Sequence, residues 1–169
     1  MFGILTAPAA AGTDTPRKGD IISGRAEAVD ADTIRIDGRR IRLFAIEATE
    51  MSQCCIRSDG SKVSCGKTAA QLLGDFLQEK QIRCEVVDID RYRRPVAVCW
   101  MPSGQELNRL VVQGGLALAA RSYSTRYVAA ENEARLNRRF LWSMSFEDPA
   151  EWRPRKRNKE PVDVCNSPG

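Results

Sequence analysis

Apolar and polar positions alternate in three short runs from Asp20 onward, at residues 21–29, 33–36 and 40–46, with Asp30-Ala31-Asp32 and Asp37-Gly38 between them. A period of two turns one face of each run toward a core, and Asp- and Gly-rich breaks supply tight turns, so this stretch predicts a three-stranded meander. The period then lengthens. After a polar loop at 52–64, Ala69, Ala70, Leu72, Leu73, Phe76 and Leu77 recur at helical spacing within 66–80, which predicts an amphipathic helix. Residues 82–87 and 95–101 read as a second hairpin around Asp90-Arg91-Tyr92-Arg93, and 105–112 as a short helix stopped by Gly114-Gly115. Residues 116–119 read as another strand. Ser124 or Thr125 caps a last helix through Phe140, with Val128, Ala129, Asn132, Leu136 and Phe140 on its apolar side. The sum is an α+β chain of five strands and three helices.

A chain of 169 residues with 43% hydrophobic content suits one compact domain. We place it at 20–148, between a flexible start (1–19) and a basic tail (149–169). The start, with Ala7-Pro8-Ala9-Ala10-Ala11, reads either as the end of a signal peptide or as an unstructured leader, and is too short to span a bilayer. No other segment is apolar enough to do so.

Histidine is absent, which removes imidazole catalysis and the usual zinc ligand. Hydrolysis by this chain must run on carboxylates, arginines and a hard metal ion. Six cysteines, Cys54, Cys55, Cys65, Cys84, Cys99 and Cys165, form an even set without a CxxC pair, so a disulfide framework and a periplasmic or secreted location are expected. If the second hairpin turns at 90–93, Cys84 and Cys99 face each other within disulfide reach. Cys65 is expected to pair with Cys54 or Cys55, and Cys165 with whichever of the two is left.

A phosphodiesterase needs oxygen ligands for a divalent cation, a base for water and fixed cations for the transition state. Asp32, Arg42, Glu47, Glu50 and Arg94 supply one such set, although most charges on a chain that is 28% charged only solvate a surface. Their order and spacing are more specific. Val29-Asp30-Ala31-Asp32-Thr33, then Ile41 to Glu50, then Asp90-Arg91-Tyr92-Arg93-Arg94, and later Glu106-Leu107-Asn108, Gly115-Leu116-Ala117 and Arg139-Phe140-Leu141-Trp142, resemble the staphylococcal nuclease (thermonuclease) family across roughly 24–142.

The resemblance implies an OB-fold five-stranded barrel with three helices, and a Ca²⁺ ion, or another divalent cation, held by Asp32, Glu47 and the Ala48 carbonyl. It also implies Glu50 as general base, Arg42 and Arg94 as a phosphate clamp, and Tyr92 and Tyr123 as nucleotide contacts. Two departures stand out: Glu47 replaces the family's Asp, and Ala48-Thr49 replaces a small residue followed by proline. An added methylene moves a ligand oxygen by on the order of 1 Å, which catalytic geometry tolerates poorly.

The expected function is therefore an exported, monomeric, metal-dependent nuclease acting on single-stranded DNA or RNA. The alternative is an impaired OB-fold module that binds nucleic acid or another extended polymer. A third reading, an accessory protein of envelope or exopolysaccharide metabolism, rests only on export. The tail run Arg153, Arg155, Lys156, Arg157 and Lys159 reads as a solvated arm or a salt-dependent phosphate contact, its start pinned by Trp152 and its end tied by Cys165.

Overall fold

The computed structural model describes residues 15–162 and 164–165; the signal-peptide-like segment at 7–11 lies outside them. The predicted meander is present as β1 (Ile21–Asp30), β2 (Thr33–Ile36) and β3 (Arg39–Leu43), paired antiparallel in order. The third run does not continue through Ile46 as alternation predicts. Ala45 takes a left-handed backbone conformation (φ 55°), and β4 (Ile46–Glu47) departs from the barrel.

The loop at 52–64 carries a small ribbon, β5 (Cys55–Ile56) against β6 (Lys62–Val63). Next, α1 (Cys65–Leu77) buries Ala69, Leu73 and Leu77, while Leu72 and Phe76, predicted for the same face, are 42% and 41% exposed. One residue is about 100° of helix rotation, so positions one step before the buried row at 69, 73 and 77 turn away from the barrel.

β7 (Gln81–Ile89) and β8 (Pro95–Trp100) form the second hairpin, and the barrel closes in the order β1-β2-β3-β8-β7, with β3 and β8 parallel. Cys84 and Cys99 are partners in the ladder and are bonded, their Cα atoms 4.0 Å apart. Nearer the turn the register is one residue longer, with Asp88 opposite Val96, and a bulge between Val86 and Asp88 absorbs the difference.

α2 (Leu107–Gln113) ends at Gly114, and Gly115 follows with φ 75°; a Cβ there would lie 2.3 Å from the Arg139 carbonyl oxygen, so only glycine fits. β9 (Leu118–Ala119) pairs with β4 rather than joining the barrel, so the five barrel strands are those of the meander and the hairpin.

The last predicted helix is shorter than expected. α3 (Val128–Leu136) stops before Arg138 and Phe140, which both have positive φ, and a 3-10 turn, Phe140–Ser143, follows. Its buried face is Ala130, Glu131 and Ala134, and Leu136 is 85% exposed. Glu131 can be buried because Arg121 pairs with it and the Ala119 N–H donates to it, a pairing that hydrophobic spacing does not register.

A fourth helix corrects the expected three. α4 (Pro149–Arg157) is capped by Asp148, whose carboxylate accepts the Ala150 N–H at 2.8 Å, and opens with proline, whose missing N–H costs nothing there. Trp152 is 2% exposed, so the basic stretch is folded rather than a solvated arm. Cys54 bonds Cys165, and Cys55 bonds Cys65, which settles the pairing left open by the sequence.

Ile34, Ile36, Ile41, Leu43 and Ile82 fill the barrel against Leu73, Leu77, Leu107, Val111 and Tyr127. Each large aliphatic buried in this way contributes about 1.5–3 kcal/mol of transfer free energy. Among the described residues, no helix is long and apolar enough to cross a membrane.

Candidate functional site

Register brings the charged residues to one end of the barrel. Arg42 on β3 pairs with Thr33, which places Asp32 beside it, and also with Val96 on β8, two residues beyond Arg94. The β7–β8 turn reaches over the same end. The result is a cavity of about 690 Å³ whose lining includes Asp32, Arg42, Glu50, Tyr92, Arg94 and Tyr123. Ala48 lines it as well.

Asp32 is buried and well satisfied. Its carboxylate accepts the Thr33 hydroxyl at 2.9 Å and the Ala48 N–H at 3.1 Å, and Arg42 Nη2 lies 3.4 Å from Oδ2. The Asp32 N–H in turn donates to Asp30 Oδ1 at 3.0 Å. Arg94 is oriented from the other side, its Nε donating to Asp90 Oδ2 at 2.7 Å, while Asp90 Oδ1 accepts the N–H groups of Tyr92 and Arg94 at 2.9 Å each. Burial alone would raise Asp90, but these bonds and the Arg94 charge outweigh it and hold its pKa below the usual carboxylate range. Tyr92 and Tyr123 are exposed, and the Arg91 and Arg94 guanidinium carbons sit 4.8 and 5.5 Å from the Tyr92 ring centre.

Glu50 stands on a turn held from three directions. Its N–H donates to the Gln53 side-chain oxygen at 3.2 Å, its carbonyl accepts the Gln53 N–H at 2.8 Å, and Gly66 at the start of α1 packs directly on that carbonyl. Asn108 braces the neighbouring corner. It is fully buried, accepts the Cys99 N–H and donates to the carbonyls of Phe44 and Ala97, tying β8 to the turn where β3 ends.

Two residues for which the sequence carried no expected site role also line this cavity. Asp30 is one: burial first, and then the charge of Asp32 beside it, push its pKa up to about 7 from an ordinary 3.8. Between those values the folded chain holds a proton that the unfolded chain has released. The stability this group contributes is therefore present below that window and lost as pH rises through it. Asp30→Asn keeps the acceptor for Asp32 and should abolish that slope. Denaturant unfolding of wild type and variant across the window measures it, and parallel curves would refute the assignment.

Arg153 on α4 is the other. It reaches into the cavity, pairs with the Glu47 carboxylate, and places Nε 2.6 Å from Glu50 Oε1. The only signal for it in the sequence was its membership of a basic run. Its presence bears on any metal ion. The donors are hard oxygens of the kind Ca²⁺ takes. Yet Glu47 and Glu50 hold a guanidinium, Ala48 meets Asp32 through its N–H, and among the described residues no three acidic or cysteine side chains converge to hold an ion. As arranged, the set does not fit a divalent cation.

Comparison with known proteins matches residues 40–144 to the model of the staphylococcal nuclease homologue family. The succinoglycan biosynthesis protein ExoI of Rhizobium meliloti (strain 1021) is 32% identical over 142 residues, covering 83% of this chain and 74% of that protein. An uncharacterized endonuclease of Escherichia coli O157:H7 is 32% identical over 80% of this chain and 87% of its own. A micrococcal nuclease of Shigella flexneri is 30% identical over 77% and 79% respectively.

Proposed function

Because the chain belongs to the staphylococcal nuclease homologue family, we propose that it is an exported nuclease hydrolysing phosphodiester bonds of DNA and RNA with little sequence preference. The observation that carries this reading is a cleft lined by two anchored arginines, Arg42 and Arg94, a carboxylate, Glu50, and two exposed tyrosines, Tyr92 and Tyr123.

Arg42 and Arg94 clamp the phosphate, and because Asp32 and Asp90 already orient them, little reorganisation is needed as negative charge grows on its oxygens. Glu50 takes a proton from water as the water oxygen bonds to phosphorus; the bond from phosphorus to the leaving sugar oxygen breaks, and that oxygen is protonated from solvent. Tyr92 and Tyr123 offer ring faces to bases, which any base can stack on, and phosphate and ring contacts carry no base code. A divalent cation, Ca²⁺ foremost, belongs to this proposal, and Asp32, Glu47 and the Ala48 carbonyl would hold it only in an arrangement with Arg153 off the carboxylates. It would supply charge neutralisation at the phosphate. The three disulfides among the described residues support an oxidising, extracytoplasmic location.

The deciding experiment incubates the protein with single-stranded DNA and calcium chloride, then repeats it with chelator. Degradation that requires the metal is expected. Tight binding without cleavage in any divalent ion would instead support the OB-fold binding module. A further reading, an accessory role in glycan biosynthesis, is favoured by the name of the Rhizobium relative alone.

A further inference from the structure

A divalent cation at this site would sit among carboxylates, and a positive charge is already there. Arg153 pairs at once with Glu47, proposed as a cation ligand, and with Glu50, proposed as the base. Desolvation of Arg153 is outweighed by the charge of and hydrogen bonding to Glu47, then the charges of Glu50 and Asp32, so its guanidinium is held firmly protonated. Glu47, Glu50 and Asp32 thus all act on one side chain.

That side chain is delivered by a latched element. Trp152, its neighbour on α4, is buried; Gln53 Nε2 donates to the Glu147 carbonyl at 2.6 Å just before α4; and Cys54 bonds Cys165 just after it. Gln53 also forms a bridge with Val164, and the Lys156 ammonium donates to the Ser52 hydroxyl. The latch closes on residues 52–54, directly after Glu50, so α4 is fastened to the very turn that carries the base.

We propose that α4 is a built-in competitor for the cation: Arg153 takes the cation's place between Glu47 and Glu50, and a divalent ion binds only when Arg153 has withdrawn. The inference rests on the nuclease reading above for the identity of the competing ligand. The physical reason is that a guanidinium fork and a hard cation both need these carboxylate oxygens, and two like charges do not share them. Apparent cation affinity is then the intrinsic affinity reduced by the fraction of molecules with Arg153 withdrawn. Both ion pairs are partly exposed, which limits each to a modest contribution and makes the competitor displaceable rather than permanent.

Calorimetric titration of the full chain with calcium chloride tests this. Arg153→Gln should bind Ca²⁺ about two- to thirtyfold more tightly than wild type, the factor expected from releasing two such pairs. Arg153→Lys, which keeps a charge without the fork, should fall between them. A Cys54→Ser, Cys165→Ser double variant, with the latch loosened but Arg153 kept, should shift affinity in the same direction by less. Equal affinities in wild type and Arg153→Gln, weaker binding by the variant, or no Ca²⁺ binding by any of these proteins would overturn the proposal. Single-stranded DNA cleavage measured alongside separates the two readings. Cleavage by wild type with no change of affinity in Arg153→Gln refutes only the competitor, whereas tighter Ca²⁺ binding with no cleavage by either protein refutes the nuclease.

Discussion

Glu50→Gln should lower the rate of single-stranded DNA cleavage by about two to three orders of magnitude while leaving thermal stability near that of wild type. The amide keeps the size of the side chain and can still accept from Arg153, so the turn held by Gln53 and Gly66 has no reason to move. What is lost is the ability to take a proton from water, a contribution of about 10²–10⁴-fold in general-base reactions. Arg94→Ala should cost a similar factor by a different route, since it removes a clamp whose value is greatest when charge develops on the phosphate. The two variants differ in one diagnostic: Glu50→Gln should leave DNA affinity intact and lower kcat, whereas Arg94→Ala should weaken binding as well. Single-turnover cleavage with separately measured affinity distinguishes them, and near-normal rates in either variant would remove that residue from the mechanism.

Gly66→Ala should damage both the fold and the site. A Cβ at this position would lie 2.0 Å from the Glu50 carbonyl oxygen, 2.5 Å from its carbon and 2.9 Å from the Thr49 carbonyl oxygen, all of them backbone. The helix cannot easily retreat, because Cys65 next to it is bonded to Cys55. The turn must therefore give way, at a cost of about 1–3 kcal/mol for overpacking of this kind. Displacing Glu50 by even about 1 Å should reduce cleavage by roughly a hundredfold. Gly74→Ala is the control. It lies in the same helix with only the Ala28 Cβ, at 3.8 Å, in reach, and should be neutral or stabilising by about 0.5–1 kcal/mol. Chemical denaturation with parallel cleavage assays reads both effects; an unchanged rate in Gly66→Ala would mean that the turn does not set the position of Glu50.

Local pattern was enough for the elements whose burial is one-sided. The meander, the second hairpin, the first helix and the Gly114-Gly115 stop all follow from alternation, helical spacing and turn chemistry, because each depends on a few adjacent residues and one buried face. The Cys84–Cys99 pairing was also legible, although the turn beside it is one residue longer than assumed and a bulge near Val87 restores the register. Order along the chain likewise selected Asp32, Arg42, Ala48, Glu50, Tyr92, Arg94 and Tyr123, which the fold gathers around one cavity.

Other features depended on partners distant in sequence. The departure of β4 from the barrel is decided by β9, more than seventy residues on. Likewise, α3 buries Glu131 because Arg121 meets it, and hydrophobic spacing has no means of marking a charge that is neutralised by another loop. The choice between Cys54 and Cys55, adjacent in sequence, was made by where α4 and the start of α1 arrive. The same holds for Arg153. In the sequence it is one cation among several in a basic run; in the folded chain a buried tryptophan, a proline-started helix and a disulfide carry it 106 residues back to Glu47. Periodicity reports which face of an element is covered. Which charge meets which carboxylate is settled only when the chain closes on itself, because an ion pair depends on distances across the fold rather than on spacing along it.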